Sequence, residues 1–166
     1  MPLTVAGDFT WPDERCVGID ALVEALSSSP LVINFEGALI EGAAESEAVA
    51  NDLKFNLFSA GDAIAVLKQL NVVSVGLANN HIGDYPGACA RTIDILESEG
   101  VRYFGLERMP FTDVHADDVV YRFIGVVSPL TEITQDCDGL TANTFAPQKV
   151  LRLIAEWRAK SPDTRI

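Results

Sequence analysis

The sequence predicts an α/β protein built on a parallel sheet. Three short apolar segments, at 3–6, 31–35 and 72–78, alternate with segments whose apolar residues have helical spacing. The last two are nearly all apolar, which is typical of strands buried on both faces of a parallel sheet. Polar side chains follow each segment, and ligands bind beyond the carboxyl ends of such strands. We therefore expect one α/β domain with a functional site at this edge of the sheet.

The composition excludes several classes of function. A chain of 166 residues is long enough for one domain with a sizeable core, and 48% hydrophobic against 22% charged residues indicates a globular protein. The net charge of -12, with no run of Lys or Arg, disfavours binding to nucleic acid or to an anionic membrane. No signal peptide or membrane-spanning apolar segment is visible, so we expect a cytoplasmic protein.

The common motifs for nucleotides, thiol chemistry and serine hydrolysis are missing from the sequence. There is no GxxxxGK[ST], no GxGxxG after a strand and no GxSxG. The three cysteines, Cys16, Cys89 and Cys137, form no CxxC pair, and their odd number favours a reducing compartment over a disulfide framework. The function therefore has to be sought in the polar strand ends.

The first half of the chain predicts strands with helices between them. Ser59 is expected to cap the second helix, as serine often does. In order, the pattern predicts a strand at 3–6, a helix over about 18–26, a strand at 31–37, a surface excursion over 38–52, a short extended piece at 54–58, a helix over 59–70 and a strand at 72–78.

The second half continues the alternation and ends near another strand. The pattern predicts a helix over 88–99 followed by Gly100, a strand at 101–105, an irregular stretch over 107–116, a strand at 119–127, a loop over 128–145, and a helix that begins at Pro147 and runs to about 159. The strand at 119–127 could pair with another through a turn at Asp117 and Asp118, and His115 is expected at the surface. Residues 161–166 read as the approach to a further strand.

Four polar residues follow three separate strands, and their chemistry suits a metal ion. Asp8, Glu36, Asn80 and His81 offer oxygen donors and one imidazole, a set that suits Mn²⁺, Mg²⁺, Zn²⁺ or Fe²⁺. Taken singly, each has a plainer interpretation: a turn aspartate, an exposed loop glutamate or a structural histidine. Taken together, they favour a shared site in which His81 acts as general acid or as a donor in the transition state.

Two further residues are expected to support that site. Asn34 lies two positions before Glu36, so both side chains project to the same side of an extended segment. Asp84 follows His81 by three residues and can hold one tautomer of its ring by a hydrogen bond.

These residues together resemble a known family. Gly7-Asp8, Asn34-Phe35-Glu36-Gly37 and Leu77-Ala78-Asn79-Asn80-His81, with Asp84 and Gly87, resemble the bacterial capsule-synthesis CapA family. That family, also called the poly-γ-glutamate biosynthesis family, is related to calcineurin-like metallophosphatases. The stretch from Thr92 to Gly105 also fits its pattern. The resemblance covers about 3–127, and Ala-Asn-Asn-His-x-x-Asp is its most specific part.

The resemblance implies a fold, a site and a reaction. The fold would be a metallophosphatase-like layered α-β-β-α sandwich. The metal would be held by Asp8, Glu36 and Asn80, catalysis would involve His81 and Asp84, and Asn34 and Asn79 would support the site. The activity would be a metal-dependent, phosphoesterase-type hydrolysis of a small-molecule or polymer substrate in capsule, poly-γ-glutamate or related envelope polymer metabolism. The alternative is a non-catalytic member that binds polymer or a partner protein.

The sequence departs from the family pattern at two places. Metallophosphatases carry a histidine two residues after the first aspartate, where this chain has Thr10, as is usual in the CapA branch. Family members also carry a later His-Trp-Gly-type motif, expected just past Ile166, whereas the histidines here are His81 and His115. We therefore expect residues 1–166 to form a single domain that is incomplete at its C-terminus and has weak or no activity alone. A shortened member with an impaired site is the other interpretation.

Overall fold

A computed structural model describes residues 1–11, 18–40, 58–128 and 145–166 of the chain. The elements in chain order are β1 Thr4–Phe9, α1 Ile19–Leu26, β2 Leu31–Phe35, β3 Ala38–Ile40, β4 Phe58–Ala60, α2 Ala63–Gln69, β5 Val72–Gly76, α3 Ala88–Ser98, β6 Arg102–Phe104, β7 Phe111–Ala116, β8 Val119–Ile124, α4 Pro147–Lys160 and β9 Thr164–Arg165. The predicted α/β class is confirmed.

The central sheet is parallel and has four strands in the order β1-β2-β5-β6. Its register pairs Asp8 with Asn34 and Asn34 with Gly76. The pairing of β1 with β2 shifts between Val5 and Asp8. All four strands point the same way, so the residues that follow β1, β2 and β5 meet at one edge, as the sequence predicted.

The two faces of this sheet pack against different layers. On one face, Leu31, Ile33 and Val75 join the main core, to which α2 and α3 contribute buried residues and α1 contributes partly buried ones. On the other face, Val32 and Phe104 pack with Val114 and Phe123 of the β7-β8 hairpin. The layers follow from the alternation of side chains in each strand, which gives a sheet two apolar faces to cover.

A second sheet and α4 complete the layers. β7 and β8 are antiparallel, and β9 pairs with β8 in parallel. Val114 of β7 packs toward the first sheet, so Phe111, three positions away, lies on the opposite face, where Trp157 of α4 packs on it with ring centroids 4.8 Å apart. The order is thus helices, sheet, sheet, helix, which is the α-β-β-α sandwich expected from the resemblance. A cavity of about 340 Å³ lies between the sheets, with Asn34 and Phe123 among its lining residues.

Several predicted elements are confirmed with small changes in their bounds. These are α1, β2, β5, α3, β6, β8 and α4. Gly100 follows α3 with φ +72, and Asp117 and Asp118 both have positive φ in the turn between β7 and β8. Two left-handed residues form the tight turn that matches the twist of an antiparallel hairpin. The chain also forms β9 close to its last described residue.

The prediction that Ser59 caps α2 is wrong. Ser59 lies in β4, where it is buried and its hydroxyl accepts a hydrogen bond from the backbone N–H of Trp11 at 2.9 Å. The helix begins later, after Asp62, whose carboxylate accepts from the Trp11 indole at 3.1 Å. A long-range contact with Trp11 therefore occupies Ser59, the residue that the local pattern assigned to capping.

Other predictions were wrong because strand pairing decides the structure. Residues 38–40, assigned to a surface excursion, form the buried strand β3, which pairs with β4. The stretch over 107–116, expected to be irregular, contains β7, and His115 is exposed on that strand rather than in a loop. The rest of the predicted excursion and extended piece, over 41–57, and the predicted loop at 129–144 lie outside the described residues.

Two elements are more exposed than their apolar residues would suggest. β1 is an edge strand and is largely exposed, with Val5 61% accessible, so Asp8 lies within an exposed strand rather than after a buried one. On α4, Trp157 is buried but Leu151 is 66% exposed. Across the described ranges, no helix combines the length and apolar character needed to cross a lipid bilayer.

Candidate functional site

The ends of β1 and β2 bring two carboxylates onto one amide. The Asn34 Nδ2 donates to Asp8 Oδ1 at 2.7 Å and to Glu36 Oε2 at 2.5 Å. The register places Asp8 beside Asn34, and the two-residue spacing turns Glu36 to the same side. The amide donor thus occupies the space between two negatively charged groups.

Burial and charge disfavour the ionised form of Glu36. Burial raises the pKa of its carboxyl above the usual 4.5, the hydrogen bond from Asn34 lowers it, and repulsion from Asp8 raises it again. The net shift is upward because a partly buried anion beside another anion is poorly stabilised. A bound cation would remove this cost.

His81 is held by a buried acid in the loop after β5. Its Nδ1 lies 2.7 Å from Asp84 Oδ2, and the Asp84 side chain is fully buried. A carboxylate accepts at this position, so the proton of the neutral ring belongs on Nδ1 and Nε2 is the nitrogen left to exchange a proton. Nε2 lies 3.9 Å from Glu36 Oε1, which is beyond hydrogen-bond distance.

The buried amide of Asn79 joins these two halves. Its Nδ2 donates to the carbonyl of Phe35 at 2.8 Å, and its Oδ1 accepts from the backbone N–H of His81 at 3.0 Å. The sequence identified Asn79 as a supporting residue but gave no sign of which strand it would contact. The signal that could have been used is a second amide placed directly after a buried strand.

Asn80 and Thr10 complete the surroundings. Asn80 is partly buried between Asn79 and His81 in the chain. Thr10, the position at which the sequence departs from the expected histidine, has a hydroxyl that donates to the Glu36 carbonyl at 3.3 Å. This threonine therefore contacts the backbone of the glutamate rather than offering a nitrogen ligand.

The donors suit a divalent cation in type, but their grouping is looser than that of a finished metal centre. Carboxylate and amide oxygens with one imidazole match hard and borderline divalent ions. In the part of the chain that the structure describes, however, no three His, Cys, Asp or Glu side chains are grouped so that they could hold a metal ion. The Asn34 amide bridges the carboxylates instead. Asp8 and Glu36 are the two carboxylates brought together in this way.

Comparison with known proteins identifies a family. The family model described as bacterial capsule synthesis protein PGA_cap matches residues 19–121, which is more than half of the chain. The matched range contains Asn34, Glu36 and the segment from Asn79 to Asp84, whereas Asp8 lies before it. No curated protein matches the chain.

Proposed function

Because the chain belongs to the PGA_cap family of bacterial capsule synthesis proteins, we propose that it acts as a divalent-metal-dependent hydrolase of the phosphoesterase type. A role related to capsule synthesis follows from the family itself. One observation carries the hydrolase proposal: two carboxylates share an amide, and one of them lies 3.9 Å from an imidazole whose other nitrogen is held by a buried acid. Capsule, poly-γ-glutamate or a related envelope polymer, or a small precursor of it, is the proposed substrate.

The residues divide the work of such a reaction. Asp8, Glu36 and Asn80 would hold the cation, which would polarise a phosphoryl oxygen or lower the pKa of a bound water. His81 would move a proton at Nε2, and Asp84 would keep the ring oriented through Nδ1. Asn34 would hold the two carboxylates at a fixed separation. A protein of net charge -12 also favours a cation as the bridge to any acidic polymer.

The test is metal analysis with a phosphodiester assay on the full-length protein. We expect a bound divalent metal, and we expect Asp8→Ala or His81→Ala to abolish turnover. Matched controls are Asp20→Ala, on the exposed part of α1, and His115→Ala, on the exposed face of β7. Both controls should retain activity. If the wild type holds no divalent metal and Glu36→Ala leaves phosphodiester turnover unchanged, the hydrolase proposal fails.

The second candidate is a non-catalytic protein that binds polymer or a partner. The observation that favours it is the lack, among the described residues, of a set of three close metal-ligating side chains. It predicts binding of poly-γ-glutamate or a partner protein that persists in EDTA and is unaffected by His81→Ala. The hydrolase proposal instead predicts substrate turnover that both EDTA and His81→Ala abolish.

A further inference from the structure

One buried side chain links the two halves of the site. Asn79 is 4% exposed, and its amide acts both as a hydrogen-bond donor and as an acceptor. The Nδ2 donates to the Phe35 carbonyl at 2.8 Å, while the Oδ1 accepts from the His81 N–H at 3.0 Å and, more weakly, from the Gly37 N–H at 3.5 Å. A buried amide satisfied on both its donor and acceptor sides holds a defined orientation.

The contacts of Asn79 bracket the glutamate of the site. Phe35 and Gly37 are the residues immediately before and after Glu36 in the chain. The Asn79 amide therefore fixes the backbone from which the Glu36 carboxylate projects. Since the same oxygen fixes the backbone N–H of His81, one side chain ties Glu36 to His81, whose side chains approach to 3.9 Å.

We propose that Asn79 is a positioning residue that sets the separation between the Glu36 carboxylate and the His81 ring. Its catalytic meaning rests on the proposed function, whereas the geometric role does not. Asn79 is too buried to contact a substrate, so it acts through its neighbours. The role requires an amide: an aspartate loses the donor to the Phe35 carbonyl, and a leucine loses both donor and acceptor.

The chain offers a matched control for the loss of a buried polar contact. The Thr92 hydroxyl is also buried; it accepts from the Leu39 N–H at 2.8 Å and donates to the Ala88 carbonyl at 2.7 Å. Like Asn79, it is bonded to backbone groups both as donor and as acceptor, and one of these groups lies beyond its own element, but neither of its partners is one of the site residues. Thr92→Val should therefore lower stability without altering the site.

The experiment reads the site by NMR in metal-free protein, so it does not depend on activity. We expect a cross-relaxation signal between the Glu36 side chain and the His81 ring in the wild type, its loss in Asn79→Asp and Asn79→Leu, and its retention in Thr92→Val. If the signal survives in Asn79→Asp, or is lost equally in Thr92→Val, the proposal is wrong.

Hydrogen exchange in the wild type keeps the proposal testable if the variants do not fold. The His81 amide should exchange at least ~100-fold more slowly than an unprotected amide, because its N–H donates a hydrogen bond to the buried Asn79 Oδ1. Rapid exchange of that amide would overturn the proposal. If the wild type also hydrolyses a phosphodiester, Asn79→Asp should reduce turnover by roughly 10–100-fold, as loss of a supporting contact does. A wild type with the NMR signal but no metal or turnover would refute only the proposed function.

Discussion

At the scale of single residues, the candidate site places groups together that do not stabilise one another. Asp8 and Glu36 are both acidic and both depend on the same donor, the Asn34 amide. The pKa of Glu36 is raised, chiefly by burial. An arrangement that costs stability and has no role in the core is typical of a functional site.

This cost predicts how stability depends on pH. The folded state holds the Glu36 proton more tightly than the unfolded state, so the contribution of this carboxyl is full below its usual pKa of 4.5 and is lost as pH rises through the raised pKa. Glu36→Gln has no carboxyl proton to lose, so its stability should not fall over this pH range, and the glutamine oxygen can still accept from Asn34. In EDTA at pH 7 we expect its Tm to exceed that of the wild type by a few degrees, with the gap closing toward pH 4.

The control for this variant is Glu24→Gln, which neutralises an exposed acid on α1. It should leave Tm nearly unchanged across the same pH range. A Glu36→Gln protein less stable than the wild type at pH 7 would contradict the assigned cause of the pKa shift. The same variant should bind a divalent cation more weakly if the proposed site is right.

At the scale of elements, the loop carrying the asparagines and His81 is positioned by close backbone contact. Gly105, which follows β6, has φ +98, and a Cβ at this position would lie 2.7 Å from the Ala78 nitrogen. Ala78 directly precedes Asn79 in the chain. A glycine is required here for two independent reasons, since an L side chain would be strained and would also push against the start of this loop.

Gly105→Ala should therefore cost stability through both effects. The left-handed conformation costs about 1–2 kcal/mol and the overpacking about 1–3 kcal/mol, so we expect a loss of roughly 2–5 kcal/mol in chemical unfolding. Gly100→Ala separates the two, because Gly100 has φ +72 but a Cβ there would meet nothing within 4 Å. If Gly105→Ala costs no more than Gly100→Ala, the contact with Ala78 does not position the loop.

At the scale of the whole molecule, the sequence predicted what depends on local pattern. Local pattern predicted the bounds of three elements to within two residues: β2 and β5 from their apolar runs, and α3 from its helical spacing. The edge of the sheet at which the polar residues meet followed from parallel strands alone. The second β-sheet layer was predicted only by the resemblance to the CapA family, because the order of strands in the sequence does not indicate it.

What the sequence could not predict depends on long-range partners. β3 is three residues long and is stabilised by pairing with β4. The local pattern predicted Ser59 as a helix cap. Its actual partner, Trp11, lies 48 positions away in the chain, so no local pattern could indicate this contact. Likewise, the spacing of Asn79 could not reveal that its amide bonds to β2, because a side-chain direction is fixed only when the fold is.

The outer helix tests the layered arrangement directly. Trp157 is the buried residue of α4; it packs on Phe111, and the Arg122 guanidinium lies 4.3 Å from the Phe111 ring and 5.0 Å from the Trp157 ring. Arg122 is itself held by Asp113 through two hydrogen bonds of 2.7 and 2.6 Å. Trp157 thus attaches α4 to the second sheet by packing on Phe111 and Arg122, and loss of its side chain should detach the helix.

Trp157→Ala should therefore expose α4 while leaving the first sheet folded. We expect a loss of up to about 3–5 kcal/mol and rapid proteolysis within 147–160, as for removal of a large buried aromatic side chain. Leu151→Ala, on the same helix but 66% exposed, should stay within about 0.5 kcal/mol of the wild type. Equal effects of the two substitutions would mean that α4 is not attached through Trp157. A Trp157→Ala protein that keeps the signal between Glu36 and His81 would show that the site depends on the parallel sheet and not on the outer layer.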